Sequence, residues 1–181
     1  GGFATVYCAR RLSDNQAIAI KVMDIKKCED EKASQRFLRE AKIAAEIKHK
    51  NVVEFYDFGH VEETGQPYIA MELLHGHDLT HELKKGPLSP KRTFNLFRPV
   101  VDALAMGHKL GVVHKDLKPD NFFIVNPGTQ EEYMKILDYG IAYLKDESIR
   151  LTSDGQIFGT PRYLAPEYIR SLDVTPAVDV Y

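Results

Sequence analysis

The feature that most constrains the fold of this 181-residue chain is one change of pattern along its length. In the first part, short runs of β-branched and aromatic residues alternate with turn residues, around one helical segment at residues 34–48. The second part is mainly helical, with helical spacing at residues 78–85 and 90–110. The pattern predicts an α+β fold with two lobes: a small antiparallel sheet with one helix at residues 1–74, and a larger, mainly helical and incomplete lobe at residues 75–181.

Four strand-like runs are predicted to form the sheet of the first lobe. They occupy residues 3–10, 17–25, 52–58 and 67–74. Turn residues separate the first run from the second and the third from the fourth, so the first pair is expected to form a hairpin. The lobes are expected to join near residues 73–78, and a cleft between them is the default site for a ligand.

Composition excludes several classes of partner. The net charge is −2 with Lys and Arg interspersed among Asp and Glu, so no basic field for nucleic acid is expected. Cys8 and Cys28 lack metal-ligand spacing, which favours reduced thiols over a disulfide or a zinc site. No apolar run approaches the roughly 18 residues of a membrane span. We therefore expect a cytoplasmic protein without membrane contact in this segment, and both ends of the sequence look like cuts in a longer chain.

Two glycines and a lysine in the first hairpin indicate a phosphate site. Gly1 and Gly2 precede the first strand, and glycine allows backbone amides to approach a ligand closely. Such glycines are more often simple turns, and the spacing of a P-loop is absent. Lys21 ends a β-rich run on the partner strand, where its ammonium could reach phosphates under the glycines. An ordinary solvated lysine is the alternative interpretation.

Glu40 makes the functional interpretation of Lys21 stronger. It lies in line with Ile43, Ala44 and Ile47 on the apolar side of the predicted helix. A carboxylate on a buried face needs a partner, because an unpaired buried charge costs several kcal/mol. We predict that Lys21 is that partner.

The most informative segment is residues 114–121, which precede a second predicted hairpin at residues 122–125 and 133–137. Asn121 stands just before the first of these strands and Asp138 just after the second, so antiparallel pairing should bring them together. One carboxylate and one amide oxygen suit Mg²⁺ that is also bound by phosphate oxygens and water. The segment therefore predicts Asn121 and Asp138 as metal ligands.

The same segment offers groups for a phosphoryl transfer. Asp116 and Lys118 are two residues apart in a stretch stiffened by Pro119, so their side chains can point the same way. A carboxylate there could receive a hydroxyl proton, beside an ammonium that steadies the transferring group. A charged surface loop would explain any one of these residues, but not all of them at these spacings.

Taken in order along the whole chain, these segments resemble the catalytic domain of eukaryotic-type serine/threonine protein kinases. The resemblance implies a bilobal kinase fold that uses ATP and Mg²⁺, with Mn²⁺ able to replace Mg²⁺. It implies Asp116 as the catalytic base, Lys118 as the phosphate-steadying residue and Lys21 with Glu40 as the nucleotide ion pair. Asn121 and Asp138 would then be the metal ligands.

The resemblance also implies a set of nucleotide-binding residues. They are Gly1 and Gly2 over the phosphates, Val6, Ala19 and Phe123 around the purine, Met71 as the gatekeeper, the backbone of Glu72 and Leu74 at adenine, and Asp78 at the ribose. Lys118 followed by Pro-Asp-Asn is typical of serine/threonine rather than tyrosine kinases. So is Thr160 in the 159–167 segment, where it would bond Asp116 and Lys118. The segments at residues 135–138 and 159–167 look closest to bacterial members of the family.

The implied activity is transfer of the γ-phosphoryl group of ATP to Ser or Thr hydroxyls of protein substrates, and autophosphorylation is compatible with it. A pseudokinase-type nucleotide-binding module is the alternative, and it would need a loss among the lysine, base and metal positions, where none is lost. A small-molecule kinase of related fold would lack the peptide platform of residues 159–167.

Two departures from the family pattern have physical consequences. Lys115 stands where many kinases have an arginine that binds a phosphorylated loop, and an ammonium lacks the bidentate fork of guanidinium. Phosphorylation at Thr152 or Ser153 is therefore expected to control the enzyme only weakly. Tyr139 replaces a phenylalanine, which keeps an aromatic ring and adds a hydroxyl that needs a partner.

Overall fold

A computed structural model of the chain describes residues 4–28, 31–139, 161–171 and 175–181. Within these ranges some side chains are not described: those of Lys32, Arg36, Glu40, Pro161, Ile169, Arg170 and Ser171. The α+β architecture predicted from the sequence is confirmed, with two antiparallel sheets and helices packed against them.

The first sheet has four strands in the order β1-β2-β4-β3. Their bounds are Ala4–Arg10 for β1, Ala17–Met23 for β2, Phe55–His60 for β3 and Pro67–Glu72 for β4. All neighbouring strands run antiparallel, so both hairpins are present.

Several strand bounds predicted from the sequence are wrong, and the structure explains two of them. The second strand ends at Met23, because Asp24 accepts a hydrogen bond from the backbone of Lys26 and starts the short helix α1, Ile25–Cys28. The third strand begins at Phe55, since Val52 instead makes an isolated parallel bridge with the second sheet. A local hydrogen bond decides the first of these bounds, and a contact with a residue distant in the sequence decides the second.

Helix α2, Glu31–Ala45, covers one side of the first sheet. Phe37, Ala41 and Ala44 are fully buried, which agrees with the helical spacing of apolar residues in the sequence. Ile43 is 39% exposed, so it is not part of this buried face. The apolar side of the helix is therefore narrower than the sequence suggested.

The second part of the chain starts with a strand that the sequence pattern did not predict. Residues Gly76–Asp78 form β5, which pairs with β6 and completes a three-stranded sheet in the order β5-β6-β7. Gly76 has φ 154°, and a Cβ there would lie 1.9 Å from the carbonyl oxygen of Ile124. Only glycine lets the two backbones approach this closely.

Helices α3, Leu79–Leu83, and α4, Pro90–Lys109, follow β5. The hydroxyl of Ser89 accepts the backbone N–H of Arg92 at 3.3 Å and caps α4, with Pro90 as the first helical residue. Gly111 follows the helix with φ 75°, as expected for a residue that terminates a helix.

Strands β6, Phe122–Val125, and β7, Tyr133–Ile136, form the predicted second hairpin. Their register pairs Phe122 with Ile136 at the open end. One apolar core runs without interruption from the first sheet through α2 and α4 to this hairpin. The division at residue 74 stays a prediction, because this core contains residues from both sides of it.

Beyond residue 160 the described chain forms α5, Pro166–Ser171, and two short 3-10 turns, Pro161–Tyr163 and Pro176–Asp179. Leu164, Ala165, Tyr168 and Val178 form a small second core. Among the described residues, no helix has both the length and the apolar character needed to cross a bilayer.

Candidate active site

One face of the first sheet carries several of the predicted nucleotide-binding residues. Lys21 on β2 lies directly opposite Val6 on β1, and Ala19 lies opposite Met71 on β4. Directly paired residues and residues two apart on one strand point to the same side of a sheet. The register therefore places Val6, Ala19, Lys21 and Met71 on one face. Val6 is 56% exposed at the edge, whereas Ala19 is buried.

Lys21 joins this face to the second sheet. Its Nζ donates a hydrogen bond to Oδ1 of Asp138 and forms an ion pair with it, although 117 positions separate the two residues. Asp138 has φ 50°, an uncommon conformation for a residue other than glycine. The side chain of Glu40 lies outside the description, so its predicted pairing with Lys21 stays a prediction.

Asn121 and Asp138 meet at the open end of the β6-β7 hairpin. The backbone N–H of Leu137 donates to the carbonyl oxygen of Asn121 at 2.8 Å, which extends the ladder by one bond. Asp138 is the next residue along the chain. The sequence argument for their convergence, from antiparallel pairing alone, agrees with this geometry.

Asp116 and Lys118 face each other in the preceding loop. The Nζ of Lys118 lies 2.7 Å from Oδ2 of Asp116, and both side chains are largely buried. The buried side-chain amide of Asn121 donates to the backbone oxygen of Asp116 at 2.6 Å and to its Oδ2 at 3.2 Å. The amide nitrogen of Asn121 is used in this way, so its amide oxygen is the atom that could serve as a metal ligand.

His114 holds the loop from within the core. It is fully buried; its Nδ1 accepts the backbone N–H of Asp116 at 3.3 Å, and its Nε2 lies 3.1 Å from the carbonyl oxygen of Leu137. These partners assign the proton to Nε2 of a neutral ring. Burial lowers the pKa of His114, against the opposing influence of the nearby carboxylates. The neutral histidine thus links the loop of Asp116 to the strand that ends before Asp138.

Asp179 is a site residue that sequence reasoning missed. Its side chain is 1% exposed, and it accepts the backbone N–H groups of His114 at 2.8 Å and Lys115 at 2.7 Å. Its Oδ2 also lies 2.7 Å from Nε2 of His108 on α4. Lys115 has φ 69°, so Asp179 holds the loop in an uncommon turn. A carboxylate between Val178 and Val180 was the available signal, because a charge in an apolar run needs a buried partner.

Glu72 and Lys135 connect the two sheets on the other side of the site. The buried Nζ of Lys135 donates to the carboxylate of Glu72 and to the carbonyl oxygen of Val52 at 3.1 Å. Glu72 also accepts the backbone N–H of Glu54 at 2.7 Å. The sequence assigned only the backbone of Glu72 to the site, whereas its side chain fixes the segment that joins the lobes.

The remaining predicted nucleotide residues lie in or beside the joining segment, which is the stretch of residues 73–78 between β4 and the end of β5. Met71 and Glu72 end β4, Leu74 follows in the link, and Asp78 ends β5 opposite Phe123 on β6. The carboxylate of Asp78 caps α3 by accepting the backbone N–H of His81 at 2.6 Å. Gly1, Gly2, Thr160, Thr152 and Ser153 lie outside the described residues.

The donor set is compatible with a small hard cation. Among the described residues no cluster of three or more His, Cys, Asp or Glu side chains could enclose a metal ion. Mg²⁺ in nucleotide sites uses one or two protein oxygens and takes the rest from phosphates and water. The carboxylate of Asp138 and the amide oxygen of Asn121 meet that requirement.

Comparison with known proteins fits this geometry. The chain matches the family model described as "Protein kinase domain" over residues 1–181. It belongs to the protein kinase family. The kinase resemblance found in the sequence is therefore confirmed, and so is the fold that it implied.

Relatives of this kinase domain include bacterial serine/threonine kinases. It is 36% identical over 185 residues to serine/threonine-protein kinase pkn3 of Myxococcus xanthus, covering 100% of this chain and 34% of that protein. It is 35% identical over 182 residues to serine/threonine-protein kinase PknL of Mycobacterium tuberculosis, covering 100% of this chain and 44% of PknL.

Solved structures agree on the fold of the kinase domain. The crystal structure of the PknI kinase domain of Mycobacterium tuberculosis matches with a TM-score of 0.74 at 25% identity. The match covers 99% of this chain and 65% of the PknI chain. The kinase domain described here thus spans less than half the length of the two curated relatives and about two thirds of the solved structure.

Proposed function

We propose that this chain forms the catalytic part of a serine/threonine protein kinase, which transfers the γ-phosphoryl group of ATP to Ser and Thr hydroxyls of proteins. One observation carries the proposal. The Asp116–Lys118 pair and Asn121 lie beside the Lys21–Asp138 pair, at the open end of one hairpin. A carboxylate base, two ammonium groups and two oxygen ligands are the groups that phosphoryl transfer requires.

ATP is proposed to lie against the face of the first sheet that carries Val6, Ala19, Lys21 and Met71. Ala19 and Met71 would contact the purine from the sheet and Phe123 from β6, while the joining segment offers backbone groups to adenine. Lys21 is proposed to bind phosphate oxygens, for which its position opposite Val6 on the same face is suitable. The apolar contacts and the ammonium would fix the direction of the triphosphate.

In the proposed reaction, Asp116 accepts the proton of a Ser or Thr hydroxyl. As that oxygen forms its bond to the γ-phosphorus, the bond from the γ-phosphorus to the bridging oxygen breaks and ADP leaves. Lys118, 2.7 Å from Asp116, is placed to stabilise negative charge on the transferring group. Asn121 donates a hydrogen bond to the carbonyl oxygen of Asp116, and Asp179 accepts one from the backbone N–H of Lys115. These bonds hold the Asp116 backbone in one position, which limits reorganisation during transfer.

Asn121 and Asp138 would hold Mg²⁺, or Mn²⁺ with the same oxygen ligands. When bound, such an ion neutralises and orients phosphate oxygens. Protein substrates and autophosphorylation remain predictions from the family, and a cytoplasmic location remains a prediction from the composition. The pseudokinase alternative expects nucleotide binding without transfer.

The test compares wild-type protein with Asp116→Asn in the complete protein, using γ-labelled ATP and peptides that carry Ser, Thr or Tyr. Removal of a general base should lower kcat by about 10²- to 10⁴-fold, and label should appear on Ser and Thr but not Tyr. Asp120→Asn is the matched control, because Asp120 is exposed and accepts only a hydroxyl hydrogen bond from Thr80 among the bonds described. Equal labelling by wild type and Asp116→Asn would contradict the proposal.

A further inference from the structure

Gly107 occupies a position in α4 that helix formation alone does not favour. It lies within the last turns of the helix and is buried. Glycine is less favourable than alanine in a helix interior, because it loses more backbone freedom on folding. The neighbouring Ala103 and Ala105 show that small alanines are used elsewhere in the same helix. A packing requirement must therefore account for the missing Cβ at this position.

Tyr139 supplies that requirement. A Cβ on Gly107 would lie 2.1 Å from the hydroxyl of Tyr139 and 2.8 Å from its ring carbon Cζ. Both distances are shorter than the non-bonded contacts that real Cβ atoms make, so the ring would have to move. Its room to move is small, because Tyr139 is fully buried and its ring centre lies 5.0 Å from that of His114.

Among the described residues, packing and not a hydrogen bond determines the position of the Tyr139 ring. Its hydroxyl is buried and has no hydrogen-bond partner in the part of the chain that the structure describes. The hydroxyl expected from the sequence to need a partner thus points at the backbone of α4, where Gly107 leaves room. Packing against Gly107, Ile47 and His114 is what fixes the ring.

A displaced Tyr139 would change the position of Asp138. The two residues are adjacent, and Asp138 already has the uncommon φ of 50°. Its carboxylate pairs with Lys21 at the site. A rotation of the chain at Tyr139 therefore moves the carboxylate that faces the first sheet.

We infer that Gly107 is a positioning residue for Asp138, acting through the size match between Gly107 and Tyr139. The absence of a side chain at Gly107 leaves room for the phenol, and the seated phenol fixes the backbone that presents the Asp138 carboxylate. The role of Asp138 in catalysis rests on the proposed function, whereas the match between Gly107 and Tyr139 does not.

The first test is a double-mutant cycle in thermal unfolding, without nucleotide, on wild type, Gly107→Ala, Tyr139→Phe and the double variant of the complete protein. Removing the hydroxyl relieves the closest contact, so Gly107→Ala should lower Tm by at least about 3 °C more with Tyr139 present than with phenylalanine there. Ala105→Ser, which adds one heavy atom to the exposed side of the same helix turn, should lower Tm by no more than about 2 °C. Equal Tm losses in both backgrounds would overturn the size match.

The second test measures kcat and KM for ATP on the same proteins. Gly107→Ala should lower kcat/KM about tenfold or more with Tyr139, and about threefold or less with phenylalanine at that position. Such rescue by Tyr139→Phe is not expected of a residue that only stabilises α4. A coupled Tm cycle with undiminished activity of Gly107→Ala would overturn the positioning role. Failure of the proposed function would look different: the wild type itself would transfer no phosphate while the Tm cycle remained coupled.

Discussion

The two sides of the candidate site are held in different ways. Asp116 lies in a loop whose backbone N–H groups donate hydrogen bonds to the side chains of His114 and Asp179. Both side chains are almost fully buried. Lys21 reaches the site from one face of an antiparallel sheet, and its described contact across the site is the ion pair with Asp138. The loop side is therefore preorganised by buried polar groups, whereas the sheet side depends on how the two lobes are held together.

This difference predicts which substitutions should lower both stability and activity and which should lower activity alone. Replacing a buried side chain that supports the loop of Asp116 should lower both stability and activity, because buried hydrogen-bond donors then lose their partner. A change on the sheet face should damage activity with little loss of stability, because a partly exposed ion pair contributes little to folding. The following predictions test that separation.

Asp179→Asn is expected to have the largest effect. An amide can no longer accept from His108 and from two backbone N–H groups as a carboxylate does, so the free energy of unfolding should fall by about 3 kcal/mol. Activity should fall with it. Urea unfolding and kcat measure the two effects, with Asp102→Asn on the exposed side of α4 as the control. A fully stable variant would show that the loop is held by other groups.

Lys21→Met should lower kcat/KM for ATP by about a hundredfold, since a preorganised charge at the phosphates is lost. Its Tm should stay within a few degrees of wild type, in contrast to Asp179→Asn. Steady-state kinetics and thermal unfolding on one preparation provide both numbers. If stability fell as much as activity, the contrast between the two sides would be wrong.

Lys135→Met tests the contact that joins the lobes. It leaves the carboxylate of Glu72 without its buried ammonium, although the backbone N–H of Glu54 still donates to it. We expect a loss of about 2 kcal/mol in unfolding free energy, and a KM for ATP raised several-fold with a smaller change in kcat. An unchanged KM would mean that the joining segment is positioned without Lys135.

His114 should give the smallest effect, as a dependence of stability on pH. Its pKa is lowered in the folded state, so below about pH 6.5 the unfolded chain binds a proton that the folded chain does not. The stabilisation present above that pH is therefore lost as pH falls. From about pH 7.5 to about pH 5.5, wild type should lose about 1 kcal/mol more unfolding free energy than His114→Phe. Parallel losses would assign the pH dependence to other groups.

Much of the fold followed from local patterns in the sequence. The two lobes, the hairpins and the start and end of α4 have signals within a few residues, such as Ser89-Pro90 and Gly111. The meeting of Asn121 with Asp138 also follows locally, because one hairpin separates them. Strand β5 could not be predicted in this way, since its short Gly-His-Asp sequence has no strand pattern and forms only against β6.

The residues that hold the site from a distance were harder to predict. Asp179 and Lys135 act through contacts that span 64 and 63 positions respectively, and no local pattern indicates which residue each of them contacts. The fit of Tyr139 to Gly107 depends on the packing of a helix against a loop, which a single sequence does not specify. Contacts within one loop or one hairpin were thus predictable, whereas the residues that support them from a distance required the tertiary structure.

The most direct test of the account is whether Lys21 and Asp138 act on one bound nucleotide. Calorimetric binding of a non-hydrolysable ATP analogue with Mg²⁺ would be measured for wild type, Lys21→Met, Asp138→Asn and the double variant. Groups that hold the same metal–triphosphate should be coupled, so the double variant should bind no more weakly than the weaker single variant. Losses that simply add would contradict a shared site.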